Sequence, residues 1–387
     1  MGEVTEVHLV AGTRPEAIKL APLVPALRAH GMRPVFVASG QHPTMVHQAL
    51  DAFGLEPDVT LSIDRGSGSQ AELMAALTTQ LEKHWGQRTP DAVVVQGDTT
   101  TVLAAAMVAF WAKLPIAHVE AGLRSHDLAA PFPEEGNRRL VGQISRLHLA
   151  PTADARANLE REGTRAADIV VTGNTVIDAV LDIAARGGRV ADPRVAAFVE
   201  RARTGRSRLL LVTAHRRESW GEPLDRVLNA VLLLLDKYSD VEVVLPAHPN
   251  PAVAQQVRTA LGAHPRVLVT EPLAYPILVA TLAASTLVLS DSGGIQEEAP
   301  SFGVPVIVLR EVTERMEAVD AGCAVLVGTD RDAVLAQACR LLDDADERAA
   351  MVSRGNPFGD GRAADRCAAA ISWMLGRADT VPTEFRF

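Results

Sequence analysis

The sequence predicts an α/β protein built from two Rossmann-like domains with parallel sheets. Short β-branched runs alternate with longer helical stretches rich in Ala and Leu, a pattern typical of parallel sheets with helices on both faces. The chain has 387 residues, which suits two domains better than one. Hydrophobic residues make up 48% of the composition, so each half can bury a core of its own.

The predicted strands fall into two series. The first contains 7–10, 35–38, 92–95 and 116–119, and the second contains 209–212, 241–245, 267–269, 287–289 and 304–309, with clear helical patterns at 101–111 and 224–236. Between the series, the segment 184–208 is rich in Arg, Gly and Pro, which indicates a domain boundary with a hinge near Gly173 or a little later. Ligands bind beyond the carboxyl ends of strands in open parallel sheets, so two such domains in tandem predict a deep interdomain cleft.

Charge and cysteine content limit the class of protein. The net charge of −9 argues against general nucleic-acid binding, which needs a basic surface. The three cysteines, Cys323, Cys339 and Cys367, form no CxxC pair, so we expect neither a disulfide framework nor a zinc site. The chain shows no signal-peptide pattern and no apolar run of membrane-spanning length. We therefore expect a soluble, cytoplasmic protein with no membrane partner.

Polar residues follow the strands of the first half. Gly12 and Arg14 come directly after the first strand, and Lys19 lies one turn into the next helix, where two positive charges favour an anion. Asp98 follows the strand at 92–95. A solvated, capped helix start explains the first group equally well, and a helix N-cap explains Asp98.

Three further carboxylates belong to the same half. Glu120 ends a buried strand, where a carboxylate is costly unless it is paired. Arg124 is a candidate partner in a structural ion pair. Glu134 and Glu135 begin a helix after Pro131 and Pro133, a place where the helix dipole alone stabilises acidic side chains.

Two groups of residues follow strands of the second half. His215, Arg216 and Arg217 emerge together after 209–212, and imidazole and guanidinium groups suit phosphate oxygens. The segment from Ser290 to Glu298 opens a helix and carries Gly293 and Gly294, which let a phosphate approach the backbone closely. This segment is not a GxGxxG motif, and the chain has no Walker A sequence, so an NAD site is disfavoured.

These motifs, taken together and in order along the chain, resemble the non-hydrolysing UDP-N-acetylglucosamine 2-epimerases. The similar runs are 12–19, 96–101, 118–124, 131–138, 173–178, 215–218, 290–300 and 313–322. The resemblance implies a GT-B-like fold whose domains are 1–172, with a C-terminal helix at about 366–387, and 173–365. It also implies a homodimer.

The resemblance implies reversible conversion of UDP-GlcNAc to UDP-ManNAc by elimination of UDP to 2-acetamidoglucal and re-addition, with no cofactor and no metal. Removal of the weakly acidic C2 proton needs a carboxylate base, and its return on the other face needs an acid. The matching positions imply catalytic roles for Asp98, Glu120, Glu134 and His215. They imply substrate or UDP binding by Arg14, Lys19, Ser292, Gly293, Gly294, Glu298 and Arg315.

A second, activating nucleotide site of many bacterial members is incomplete in this sequence. Its Gln-His-x-Gln signature is reduced to Gln41 and His42, because Thr44 replaces the second Gln, and Ser69 stands where an Arg is usual. Glu135 and Arg216 or Arg217 remain available. We therefore expect activation by substrate to be weak or absent.

Three other functions remain open at this point. A hydrolysing relative would release free ManNAc and UDP from the same first step. A GT-B glycosyltransferase would share the nucleotide site but would not need three carboxylates from the first half. A non-catalytic sensor would not need Asp98, Glu120, Glu134 and His215 together.

Overall fold

The computed structural model describes residues 4–64, 66–187, 190–214, 216 and 219–387. The chain divides into two compact units. The first comprises Met1–Ala179 with Phe358–Phe387, and the second comprises Val180–Pro357.

The first unit contains a parallel sheet of seven strands within the described residues, in the order β3-β2-β1-β4-β5-β6-β7. The strands are β1 Glu6–Ala11, β2 Arg33–Ala38, β3 Val59–Thr60, β4 Ala92–Gln96, β5 Ile116–Val119, β6 Leu147–Ala150 and β7 Ile169–Val171. The helices are α1 Arg14–Leu20, α2 Leu23–Ala29, α3 Pro43–Asp51, α4 Gln70–Gln87, α5 Thr100–Trp111, α6 Glu134–Ile144 and α7 Ala153–Arg161, followed by α8 Thr175–Arg186, which crosses the boundary between the units.

The second unit contains a parallel sheet of six strands within its described part, in the order β10-β9-β8-β11-β12-β13. The strands are β8 Arg208–Thr213, β9 Val241–Pro246, β10 Val267–Thr270, β11 Ser285–Ser290, β12 Val306–Val308 and β13 Ala324–Leu326. The helices are α9 Pro193–Arg203, α10 Glu222–Lys237, α11 Pro251–Leu261, α12 Tyr275–Ala284, α13 Gly293–Glu298, α14 Met316–Asp320, α15 Arg331–Asp343 and α16 Ala345–Val352. Two parallel α/β sheets in tandem confirm the predicted domain type.

The sequence pattern did not predict four of the strands: β3, β6, β7 and β13. They have only two to four residues, and His148 interrupts the apolar character of β6. The strand predicted at 304–309 is shorter than expected, with β12 confined to Val306–Val308. Pro305 precedes it, and proline has no N–H to donate to a strand ladder.

The final helix, α17 Ala363–Met374, belongs to the first unit and packs against α2. Asp178 accepts hydrogen bonds from the backbone N–H groups of Ala363 and Ala364 at 3.1 and 2.8 Å. Burial raises the pKa of Asp178 to about 6, and these hydrogen bonds oppose the rise. A side chain at the start of α8 therefore anchors the first turn of α17.

Candidate functional site

The carboxyl ends of β4 and β5 bring two predicted acids to the same edge of the first sheet. The two strands are paired in parallel, with Gln96 opposite Val119. Asp98 lies two residues beyond the end of β4, and Glu120 follows β5 directly. Both side chains are thus placed where parallel sheets hold their ligands.

Three donors among the described residues hold Glu120. Its Oε2 accepts from the Lys19 ammonium, from Gln96 Nε2 at 3.1 Å and from Asn174 Nδ2 at 3.2 Å. The side chain is 8% exposed. Its backbone has φ +62°, a left-handed conformation that costs a non-glycine residue about 1–3 kcal/mol. The structure therefore keeps Glu120 in an unfavourable backbone conformation, with its carboxylate hydrogen-bonded.

Arg124 is not the ion-pair partner that the sequence suggested for Glu120. Its guanidinium binds Glu162 with two hydrogen bonds, of 2.8 Å from Nε and 2.7 Å from Nη2. Lys19 pairs with Glu120 instead. That interpretation of Arg124 was wrong because the nearest charge along the chain is not the nearest in space.

Asp98 is paired with Arg138, whose guanidinium donates to Oδ2. Asn137 donates from Nδ2 to the Asp98 carbonyl at 2.9 Å, so two consecutive residues of α6 hold this loop. Asp98 is not the N-cap of α5, as the alternative interpretation had it. Thr99 is the cap, and its Oγ1 accepts from Val102 N at 3.3 Å.

Glu134 and Glu135 differ in their surroundings although they are adjacent. Glu134 is half-buried, and its carboxylate forms no hydrogen bond within the part of the chain that the structure describes. Glu135 is fully buried and accepts from Ser125 N at 3.0 Å and Arg139 Nε at 2.9 Å. Burial works to raise the pKa of Glu135. These hydrogen bonds and the nearby guanidinium charges outweigh burial and lower that pKa.

A buried carboxylate that the sequence did not single out, Glu16, links two loops at this sheet edge. Its Oε2 accepts from Gly12 N at 2.8 Å and Thr13 N at 2.6 Å, and its Oε1 accepts from Thr99 Oγ1 at 2.5 Å. Burial raises the pKa of Glu16 despite these bonds. Glu16 thereby connects the turn before the half-buried Arg14 with the loop of Asp98.

Two residues predicted for a second nucleotide site, Gln41 and His42, lie after the end of β2. Gln41 accepts from Thr101 Oγ1 at 2.7 Å, and Gln70 accepts from Thr100 Oγ1 at 2.6 Å. His42 is exposed at the start of α3. A Cβ on Gly12 would collide with the Thr101 hydroxyl, so this edge admits only glycine there.

In the second unit, β11 leads into the predicted glycine segment. Ser290 Oγ lies 2.7 Å from Thr213 Oγ1 and accepts from Ser292 N at 3.0 Å. Ser292 occupies the N-cap position of α13, followed by the buried Gly293 and the half-buried Gly294. A Cβ on Gly293 would lie 3.4 Å from the carbon of the Arg315 guanidinium, so Gly293 and Arg315 are close neighbours.

Glu297 and Glu298 end this segment, and Glu314 lies beside it. Glu297 accepts from Arg315 Nε at 2.8 Å, and Tyr275 donates to Glu298 at 3.4 Å. Glu314 lies 3.3 Å from Arg315 Nη1 and also binds Arg310. The structure therefore brings Arg315 beside Gly293.

Arg216 and Ser219 lie next to Asp291 and Glu314. Arg216 Nη2 donates to Glu314 at 3.1 Å, while Asp291 accepts from Arg216 N at 2.9 Å and Ser219 Oγ at 3.0 Å. Burial works to raise the pKa of Glu314, but the guanidinium groups around it lower that pKa to about 2. His215 and Arg217 lie outside the described residues.

Neither a metal-binding cluster nor a membrane-spanning helix occurs among the described residues. The described residues contain no group of three or more His, Cys, Asp and Glu side chains that could hold a metal ion. None of their helices is both long and apolar enough to cross a bilayer.

Comparison with known proteins identifies the family of this chain. The profile of the UDP-N-acetylglucosamine 2-epimerase family matches residues 25–372. The chain belongs to this family. The UDP-N-acetylglucosamine 2-epimerase of Bacillus subtilis strain 168 is 41% identical over 381 residues, which cover 98% of each chain. The predicted family resemblance is thereby confirmed, and the chain is an enzyme of this class.

Solved structures support the same assignment. The UDP-GlcNAc 2-epimerase from Neisseria meningitidis, solved with UDP-GlcNAc bound, has a TM-score of 0.84 and 37% identity, covering 97% of this chain and 100% of the other. The glycosyltransferase of kitacinnamycin has a TM-score of 0.64 at 14% identity, covering 97% of this chain and 100% of the other, and shows a shared fold only. The GT-B-like fold class is confirmed.

Sequence reasoning missed Gln96, Asn174, Arg138 and Glu16. Gln96 is the last residue of β4, so the rule that chemistry gathers at strand ends could have found it. Arg138 and Glu16 lie inside helices and gave no comparable signal. Gln96 and Asn174 donate to Glu120, and Arg138 donates to Asp98. Glu16 instead accepts from Thr99, next to Asp98.

Proposed function

We propose that this enzyme converts UDP-GlcNAc reversibly to UDP-ManNAc by epimerisation at C2, without net hydrolysis. The observation that carries the proposal is the pair of carboxylates Asp98 and Glu120 on adjacent strand ends, each held by its own cation. A reaction that removes a proton from one face of a carbon and returns it to the other needs two such groups.

The proposed reaction balances without a cofactor. A carboxylate takes the C2 proton, the C1–C2 double bond forms, and the C1–O bond breaks with its electron pair passing to the β-phosphate of UDP. In the second step of the reaction, UDP adds back at C1 while C2 receives a proton on the opposite face. Asp98, Glu120 and Glu134 are the proposed acid and base groups.

Lys19 has two uses in this proposal. Its buried ammonium offsets the charge of Glu120 in the ground state, and it places a cation near the anion that develops as UDP leaves. Arg14 begins the same helix and adds a second cation. From the family resemblance, His215 is proposed as a further catalytic group.

The second unit is proposed to hold the UDP part of the same substrate. Ser292, Gly293 and Gly294 supply a close approach to the backbone, and Arg315 supplies a guanidinium already oriented by Glu297. Glu298, buried and bonded to Tyr275, is proposed to accept from sugar hydroxyls. The N. meningitidis relative with UDP-GlcNAc bound supports this substrate.

Incubation with UDP-GlcNAc in D₂O, followed by NMR, tests the function. Deuterium should enter C2, and UDP-ManNAc should appear. Asp98→Asn and Glu120→Gln should each lose this exchange, whereas Glu160→Gln, a change to a 43% exposed carboxylate on α7, should keep it. Free ManNAc and UDP as the products would establish the hydrolysing alternative. No deuterium at C2 would sink proton abstraction and favour a glycosyltransferase or a sensor.

We propose that activation by a second UDP-GlcNAc is weak or absent. Two elements of the activating signature are replaced by Thr44 and Ser69, leaving Gln41, His42, Glu135 and Arg216 as an incomplete set. Gln41 and Glu135 already have hydrogen-bond partners within their own unit. Hyperbolic saturation and turnover of UDP-ManNAc alone are expected, and strong sigmoidality would contradict the proposal.

We also propose that the enzyme is a homodimer whose partner surface lies on α5 and α6. These helices pack side by side, and Phe110, Trp111 and Leu140 on them are 52%, 62% and 56% exposed. Neighbouring large apolar side chains at a surface are typical of a protein interface. Light scattering should give a dimer mass that Trp111→Glu reduces to a monomer, and a monomeric unsubstituted enzyme would refute the proposal.

A further inference from the structure

The loops that carry Asp98 and Glu120 are tied to each other by two reciprocal side-chain hydrogen bonds. Gln96, at the end of β4, donates from Nε2 to the Glu120 carboxylate at 3.1 Å. His118, on β5, bonds through Nε2 to the carbonyl of Gly97 at 2.8 Å, one residue before Asp98. Each strand therefore holds the loop of its neighbour.

The direction of the His118 hydrogen bond is fixed by its partner. A carbonyl only accepts, so Nε2 carries the proton. The ring is 1% exposed, and burial lowers the pKa of His118 to about 4, which leaves the imidazole neutral near pH 7. Nδ1 has no partner among the described residues. Within the described part of the chain, the imidazole therefore has one hydrogen bond, and that bond goes to the loop of Asp98.

The backbone alone does not favour the turn at Glu120, whereas glycine accommodates the turn at Gly97. Regular pairing of β4 with β5 ends at Gln96 and Val119, and a further bond from Gly97 N to Val119 O, of 3.1 Å, extends it by one residue. Gly97 and Glu120 then turn away with φ of +80° and +62°. A left-handed residue such as Glu120 persists only where its surroundings over-determine it. The Gln96 bond restrains Glu120 directly, and the His118 bond restrains the neighbouring loop of Asp98.

We propose that Gln96 and His118 are positioning residues that set the separation of the Asp98 and Glu120 carboxylates. The inference rests on the proposed epimerisation, in which acid and base address opposite faces of one carbon. Neither side chain needs to touch the substrate. A displacement of about 1 Å between reacting groups lowers rates about 100-fold, so loss of either bond should reduce kcat more than it changes KM.

His148 provides a matched control. It lies opposite His118 in the register of β5 and β6, is equally buried at 1% exposure, and burial also lowers the pKa of His148 to about 4. No hydrogen bond joins its ring to the loops of Asp98 or Glu120 within the described part of the chain. A change at His148 thus reproduces the loss of a buried imidazole without loss of the tie.

The test compares Gln96→Met, His118→Phe, His118→Gln and His148→Phe. For each variant, kcat and KM for UDP-GlcNAc, deuterium entry at C2 and the melting temperature are measured. Gln96→Met and His118→Phe should lose about 10- to 100-fold in kcat with KM changed by less than about 3-fold. His118→Gln keeps an N–H at a similar reach and should recover most of the loss, and His148→Phe should keep the unsubstituted kcat.

Several results would overturn the inference. These are an unchanged kcat in Gln96→Met, an equal loss in His148→Phe and His118→Phe, or a folded His118→Gln no better than His118→Phe. If His118→Phe does not fold, Gln96→Met decides alone. Failure of the unsubstituted enzyme to exchange C2 hydrogen would refute the proposed function itself, whereas normal exchange in every variant would refute only the positioning role.

Discussion

The ammonium of Lys19 donates to Oε2 of Glu120, and the two side chains are only 11% and 8% exposed. The residues are 101 positions apart in sequence, one on α1 and one after β5. A buried carboxylate at a strand end is tolerated because a buried cation and two amide donors share its charge. The same contact joins a predicted substrate-binding residue to a predicted acid or base.

Replacing Lys19 with Met should therefore damage both stability and activity. Removal of one partner from a buried ion pair typically costs about 3–5 kcal/mol, and the rate of C2 exchange should fall by about 100-fold or more. Lys19→Arg is the control, since it keeps the charge and should fall between Met and the unsubstituted enzyme. Chemical denaturation and deuterium exchange measure the two effects. Unsubstituted levels of both in Lys19→Met would show that the pair is incidental.

Arg138 should be essential for the function of Asp98, whereas its neighbour Arg139 should not. Arg138 donates to Asp98 and lies 3.5 Å from Glu135, while Arg139 binds Glu135 alone of these two acids. Arg138→Met leaves Asp98 without its cation and should reduce C2 exchange about 100-fold. Arg139→Met should retain most of the exchange. Equal rates for the two variants would contradict the assigned role of Arg138.

The positions of Asp98 and Glu120 followed from sequence because strand and helix alternate clearly and polar residues stand at the strand ends. Their partners did not follow. Arg124 is four residues from Glu120, yet its guanidinium binds Glu162 near the end of α7. Whether Lys19 or Arg124 pairs with Glu120 depends on the direction of the backbone at Glu120. That backbone makes a left-handed turn, which no glycine marks in the sequence.

The N-cap of α5 was a second feature that the sequence did not predict. Asp98 is a good N-cap by residue type, but Thr99 takes that position and also donates to Glu16. The choice between adjacent capping residues is decided by Glu16 and Arg138, which lie 83 positions before Thr99 and 40 positions after Asp98 respectively. Local propensity describes both arrangements equally well, so only the packed structure distinguishes them.

Glu16 should tolerate Gln but not Ala. The carboxylate satisfies two backbone N–H groups and the Thr99 hydroxyl. In Glu16→Gln the amide oxygen can accept from the two N–H groups, while its NH₂ donates to Thr99, because a hydroxyl can reverse its role. Glu16→Ala leaves buried donors without acceptors and should lower the free energy of unfolding by about 2–4 kcal/mol. Denaturant titration measures the difference, and equal losses in both variants would disprove this account.

Stability should fall in mild acid because of His118 and His148. Burial lowers the pKa of each from 6.5 to about 4, so the folded state keeps both neutral. Between pH 6.5 and pH 4, each histidine binds a proton in the unfolded chain but not in the folded chain. Each histidine therefore lowers the free energy of unfolding by about 1.4 kcal/mol for every pH unit that the pH falls. The stabilising contribution of each neutral histidine is complete above pH 6.5 and is lost as pH falls towards 4.

His148→Leu should remove the contribution of one of the two histidines to this pH dependence. As pH falls from 7 to 5, the free energy of unfolding of His148→Leu should therefore rise by about 2 kcal/mol relative to that of the unsubstituted enzyme. Parallel stability curves for the two proteins over that range would mean that His148 does not titrate on unfolding as its burial requires.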